Sequence, residues 1–90
     1  MKEQTLEIGA IVLSRAGRDR GRAFVVTEVL DSEYVRMADG RLRTLDRPKK
    51  KKRKHLLKGS EARMELGAHP QDAQIRKFLL AQGFSNDRKE

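Results

Sequence analysis

The sequence predicts a mainly β fold: a small β-barrel over residues 5–57, followed by a short C-terminal α-helix. Three observations predict it. Short β-branched apolar runs recur at close spacing through the first 57 residues, and turn residues punctuate them. Only after residue 69 do apolar residues fall at helical spacing. Ninety residues leave room for one core, and no internal repeat divides the chain.

Each element has its own signal. Ile11-Val12-Leu13 is a short apolar strand, and Phe24 to Leu30 is the strongest strand pattern in the chain. Tyr34 to Ala38 alternates in part, with Val35 and Met37 on one face. Asp39-Gly40 suits the two positive-φ positions of a tight hairpin turn. Arg41 to Leu45 then forms the return strand, with Arg41 and Arg43 on one face and Leu42 on the other. Pro48 opens a lysine run and disfavours a central strand there. Lys54 to Leu57 is a short closing strand. Residues 59–69 carry Gly, Ser and alternating charge, the composition of a flexible connector. Residues 70–90 hold the helix, near 71–82, and a tail. Pro70 stands at its start, Ile75, Phe78 and Leu79 form its apolar face, and Gly83 ends it. A helix this short needs a surface to dock on, its own barrel or a protein partner.

The charge is concentrated. The chain has 21 Lys and Arg against 13 Asp and Glu, a net charge of +8. Residues 14–22 carry four Arg against Asp19, and residues 41–58 carry ten basic groups against Asp46. The rest of the chain is neutral or acidic, so these two stretches supply the whole excess. A polarised basic field marks a polyanion-binding surface. The absence of Cys excludes disulfides, thiolate nucleophiles and cysteine zinc sites. The longest apolar stretch, Ile8 to Leu13, falls far short of the ~20 residues a bilayer span requires. No secretory signal pattern is present, and a cytoplasmic protein is expected.

At residues 9–26 the sequence GAIVLSRAGRDRGRAFVV places an apolar strand, a loop of Gly and Arg, and a second apolar strand in succession. This resembles a KOW motif. With MADGRLRTLDRPKKKKRKHL further on, residues 6–57 resemble the bacterial KOW-domain RNA-binding proteins, relatives of the fourteen-e type of large-subunit ribosomal protein. The resemblance implies an SH3-like barrel, RNA binding on or near the ribosome as part of a ribonucleoprotein of translation, and no catalysis.

The residues support RNA binding in their own terms. Gly17 and Gly21 bracket Arg18-Asp19-Arg20, so the loop can turn sharply and bring backbone N–H groups to a phosphate. Arg15, Arg18, Arg20 and Arg22 offer planar forks for phosphates or unpaired bases. Asp19 suits a loop cap or arginine partner. Arg41, Arg43 and Arg47, the run Lys49, Lys50, Lys51, Lys52, Arg53 and Lys54, and His55 extend the surface as a basic apron over 41–58. Gly17, Gly21, Asp39 and Gly40 are the structural turn positions.

No enzyme is expected. His55 and His69 are too far apart in sequence for a metal motif, AGRDRG lacks the Lys-Ser/Thr of a nucleotide loop, and no serine has a paired His and acid. No cofactor, metal or small-molecule substrate is implied. The expected partner is RNA, most specifically ribosomal RNA. The alternative is a KOW protein-interaction module of a transcription elongation or translation factor.

Overall fold

The apolar runs of the central strands have no polar face, which requires cover on both sides of the sheet. The computed structural model, which describes residues 6–86, provides it. Among the described residues five strands form one antiparallel sheet: β1 Ala10–Ser14, β2 Ala23–Val29, β3 Tyr34–Ala38, β4 Lys49–Lys52 and β5 Leu56–Arg63. Helix α1 spans Asp72–Ala81. Position 5 and positions 87–90, inside the ranges expected for the barrel and the tail, lie outside the described residues.

The expected barrel is not formed. The strand order is β4-β3-β2-β1-β5, an open sheet, and among the described residues no ladder joins β4 to β5. Strand alternation sorts the core into two groups. Val12, Phe24, Val26, Val35, Met37 and Leu56 pack on one face with Leu6 and Ala10. Ile11, Ala23, Val25 and Ala38 face the other way and pack with Ile75 and Leu79 of α1. The helix therefore docks on its own sheet. Burying Ile75 and Leu79 stabilises that docking by about 1.5–3 kcal/mol each.

Both ends of α1 are specified. Gln71 and Gln74 form a reciprocal capping box, and Asp72 Oδ1 accepts the backbone N–H of Leu45 at 2.8 Å. At the other end Gly83 has φ +91°, its N–H bonds Leu80 O and the Phe84 N–H bonds Leu79 O. That pair of bonds is a Schellman stop.

Residues 39–48 also depart from the expected hairpin. The expected Asp39-Gly40 hairpin and return strand over Arg41 to Leu45 are replaced by a loop. Only Gly40 takes a positive φ, +81°. The cause is local competition for the backbone. Asp39 Oδ1 accepts the N–H groups of Arg41 and Arg43 at 2.9 and 3.0 Å, while the N–H groups of Asp39 and Gly40 bond Arg43 O. The ladder partner of β3 becomes the lysine run itself, in register Tyr34↔Lys52 and Met37↔Lys49. It sits at the sheet edge, where a preceding Pro48 and a row of charges are tolerated.

A third difference lies beyond it. Residues 53–55 make a 3-10 turn rather than opening a closing strand, and β5 continues to Arg63, into the segment expected as connector. Its pairing shifts between Val12↔Lys58 and Ala10↔Arg63. Two glycines allow this. A Cβ on Gly59 would meet Ile11 at 3.1 Å, and one on Gly9, whose O accepts the Met64 N–H at 2.9 Å, would collide with Met64 O.

Candidate nucleic-acid interface

The β1–β2 loop is built by backbone bonds that close a narrow tip. Gly21 N–H donates to Ser14 O at 2.8 Å, Arg20 N–H to Gly17 O and Arg22 N–H to Asp19 O. Gly17 and Gly21 have φ of +79° and +85°, backbone conformations that favour glycine. Arg15, Arg18 and Arg20 project into solvent and have no carboxylate partner among the described residues.

Strand β4 lies beside this loop. Lys51 Nζ donates to Ala16 O at 3.0 Å, and the Arg15 N–H bonds His55 O at 2.8 Å. The two basic stretches, distant in sequence, thus form one rim. Lys50, Lys52 and Lys54 are exposed along it, and Lys49, Lys51, Arg53 and His55 are half-buried. Arg53 is held by its backbone N–H on Glu33 O at 2.8 Å. Arg41 and Arg47 are exposed on the loop before β4.

Two of the expected site arginines are placed differently. Arg22 donates to Asp39 Oδ2 at 2.7 Å and to Asn86 O at 3.1 Å. Arg43 donates to Asp19 Oδ2 at 3.1 Å. Both carboxylates are enclosed, with side-chain exposures of 0% for Asp39 and 5% for Asp19. A buried carboxylate stripped of its partner is strongly destabilising, so these pairs fix the loops that carry the other cations. The structure gives Asp19 the arginine partner expected of it.

Asp39 is the hub. Burial alone would raise its pKa, but the N–H groups of Arg41 and Arg43 and the Arg22 guanidinium outweigh burial and hold the carboxyl below the usual carboxylate range. Asn86 completes the hub. Its Nδ2 donates to Asp39 Oδ2 at 3.2 Å and to Ala23 O at 2.7 Å, while its Oδ1 accepts the Ala23 N–H at 2.8 Å. The side chain pairs with β2 as a strand neighbour would.

Two residues of this region escape the sequence pattern. Asn86 lies far from its partners along the chain and carries no local signal. Tyr34 is the cross-strand neighbour of Lys52, and the ammonium groups of Lys50 and Lys52 lie 4.6 and 6.0 Å from its ring centroid. Only the β3–β4 register brings them together, and that register was obscured by the expected hairpin.

Among the described residues no group of three His, Asp or Glu converges to hold a metal ion, and no helix is long and apolar enough to cross a membrane. No protein-family model matches the chain, and no curated protein matches it. The likeness to the KOW group therefore rests on the residues quoted for it.

Proposed function

We propose that this chain is an RNA-binding protein that uses the rim of the β1–β2 loop and strand β4 as its contact surface. We further infer that the RNA is ribosomal and that the protein works in association with the ribosome. The convergence of the two basic stretches carries the reading. The Lys51–Ala16 and Arg15–His55 bonds bring the loop that carries Arg15, Arg18 and Arg20 against the sheet edge that carries the exposed lysines. Lysines on flexible stems hold phosphates without selecting among sequences, and arginine forks add phosphate clamping and stacking. The ribosomal assignment follows from the KOW likeness of residues 6–57.

The salt dependence of binding tests the reading. Single-stranded RNA contacts each lower the slope of log K against log salt by ~0.7. Changing Lys50, Lys52 and Lys54 to Gln should flatten that slope by about 2 and weaken unrelated RNAs alike. An unchanged slope would remove β4 from the contact surface. Crosslinking in cells, followed by sequencing of the bound RNA, tests the ribosomal part.

A further inference from the structure

We propose that Tyr34 is a stacking platform for one unpaired base of a single RNA strand, with Lys50 and Lys52 holding the phosphates on either side of that nucleotide. The proposal rests on the RNA-binding reading and names the form of RNA it requires.

Tyr34, Arg36, Lys50 and Lys52 share one face of the β3–β4 pair, because Tyr34 stands opposite Lys52 and Arg36 opposite Lys50. Arg36 is engaged there, donating to Glu28 at 2.9 Å. Neither lysine makes a salt bridge among the described residues; both ammonium groups lie over the ring, and the Lys50 charge also acts on Asp31. The ring itself is set on a fixed backbone. Asp31 Oδ1 accepts the N–H groups of Glu33 and Tyr34, both at 2.8 Å, and Tyr34 O accepts the N–H groups of Leu30 and Asp31.

The spacing suits a nucleotide strand. Same-face residues of a β-strand repeat every ~6.7 Å, close to the step between successive phosphates of an extended strand. A lysine over a ring is a mobile occupant. Its ammonium can swing onto a phosphate while the ring face passes to a base, and base–aromatic stacking tolerates any sequence. The charges around the ring orient the nucleotide. Asp31 and Glu33 lie on the turn before Tyr34, and the lysines lie on the strand after it. A phosphate is repelled from the turn and drawn to β4, which leaves the uncharged base for the ring. Bases within a duplex are already stacked and paired, so the site selects loops, bulges and single strands.

Tyr34 is the chain's only tyrosine and there is no tryptophan, so intrinsic fluorescence reports on this ring alone. The test uses the full chain with two probes, a uridine octanucleotide and inorganic polyphosphate of similar charge. The oligonucleotide should quench the tyrosine emission after absorbance correction, and the polyphosphate should bind without quenching. Tyr34→Leu should weaken the oligonucleotide about tenfold and leave polyphosphate affinity within about twofold, whereas Tyr34→Phe should bind both as the parent does. Quenching by both probes would mean that the ring senses lysine neutralisation, which overturns the platform. So would equal losses of both ligands in Tyr34→Leu, or oligonucleotide binding that leaves the emission unchanged. If the oligonucleotide does not bind at low salt at all, the RNA-binding reading falls and takes the platform with it.

Discussion

Replacing Gly40 with Ala tests how the loop and the helix hold each other, and Gly21→Ala is its internal control. Both glycines have nearly the same backbone, φ +81° and +85°. An L-residue there is strained by about 1–2 kcal/mol, offset by a few tenths from the stiffer unfolded chain. Gly21→Ala should therefore cost about 1 kcal/mol and no more, because nothing lies within 4 Å of its added Cβ. At Gly40 the same Cβ would sit 2.5 Å from Asp72 O and 2.9 Å from Arg76 Cγ. To restore ordinary contact, α1 must retreat by roughly 1 Å, and a gap of that size forfeits a quarter to a half of the local dispersion contacts. Applied to Ile75 and Leu79, that loss is about 1–2 kcal/mol. The bonds from Arg76 to Gly40 O, 2.6 Å, and from the Leu45 N–H to Asp72, 2.8 Å, weaken with it, at about 1 kcal/mol each. Gly40→Ala should thus cost about 4–5 kcal/mol in all, a large part of the ~5–13 kcal/mol expected of a chain this size. Urea unfolding followed by circular dichroism measures both variants on one scale. If the two losses agree within about 0.5 kcal/mol, the helix does not rest on Gly40 and the account of its docking is wrong.

Two further predictions concern charge. The carboxyl of Asp39 has its pKa lowered by folding, so its stabilising contribution is full above the unfolded value near 3.9 and is lost as pH falls through the depressed folded value. Stability in urea should therefore drop below about pH 4, and Asp39→Asn should be less stable at neutral pH with a flatter acid limb. An equally steep limb in that variant would place the acid sensitivity elsewhere. Arg43→Ala should cost about 3 kcal/mol, because it strands the enclosed Asp19, whereas Arg18→Ala with Arg20→Ala should stay within ~0.5 kcal/mol and lower RNA affinity instead. Equal thermal shifts for the two would show that Asp19 is not held by Arg43.

What the sequence disclosed was whatever depends on neighbours along the chain. The apolar runs at β1 and β2, the turn between Gly17 and Gly21, the positive φ at Gly40, and the helix with its Gly83 stop all follow from local chemistry. What it concealed depends on distant partners. Asp39-Gly40 has the composition of a hairpin turn, yet an aspartate that captures two N–H groups and a remote arginine makes a loop instead. The open sheet was concealed for the same reason, since the return strand assigned to residues 41–45 belongs to the lysines. Periodicity cannot find a strand in four identical residues. The candidate surface was legible in part. Its charge was visible, but not that Arg22 and Arg43 serve buried carboxylates, nor that Tyr34 stands among the lysines.

The place of β1 in the sheet also sets the order in which the chain can fold as it is synthesised. This strand lies between β2 and β5, and Leu13 pairs with Leu57. At ~5–20 residues per second the ribosome needs about 2–9 s to deliver that partner. Until then Ile11 and Val12, wholly enclosed in the finished molecule, have one neighbour strand and one open side. The hub at Asp39 waits longer still, because Asn86 closes it. A nascent chain halted before Leu56 would therefore hold a two-sided hairpin sheet with an uncovered apolar edge, the form most prone to associate with its own copies.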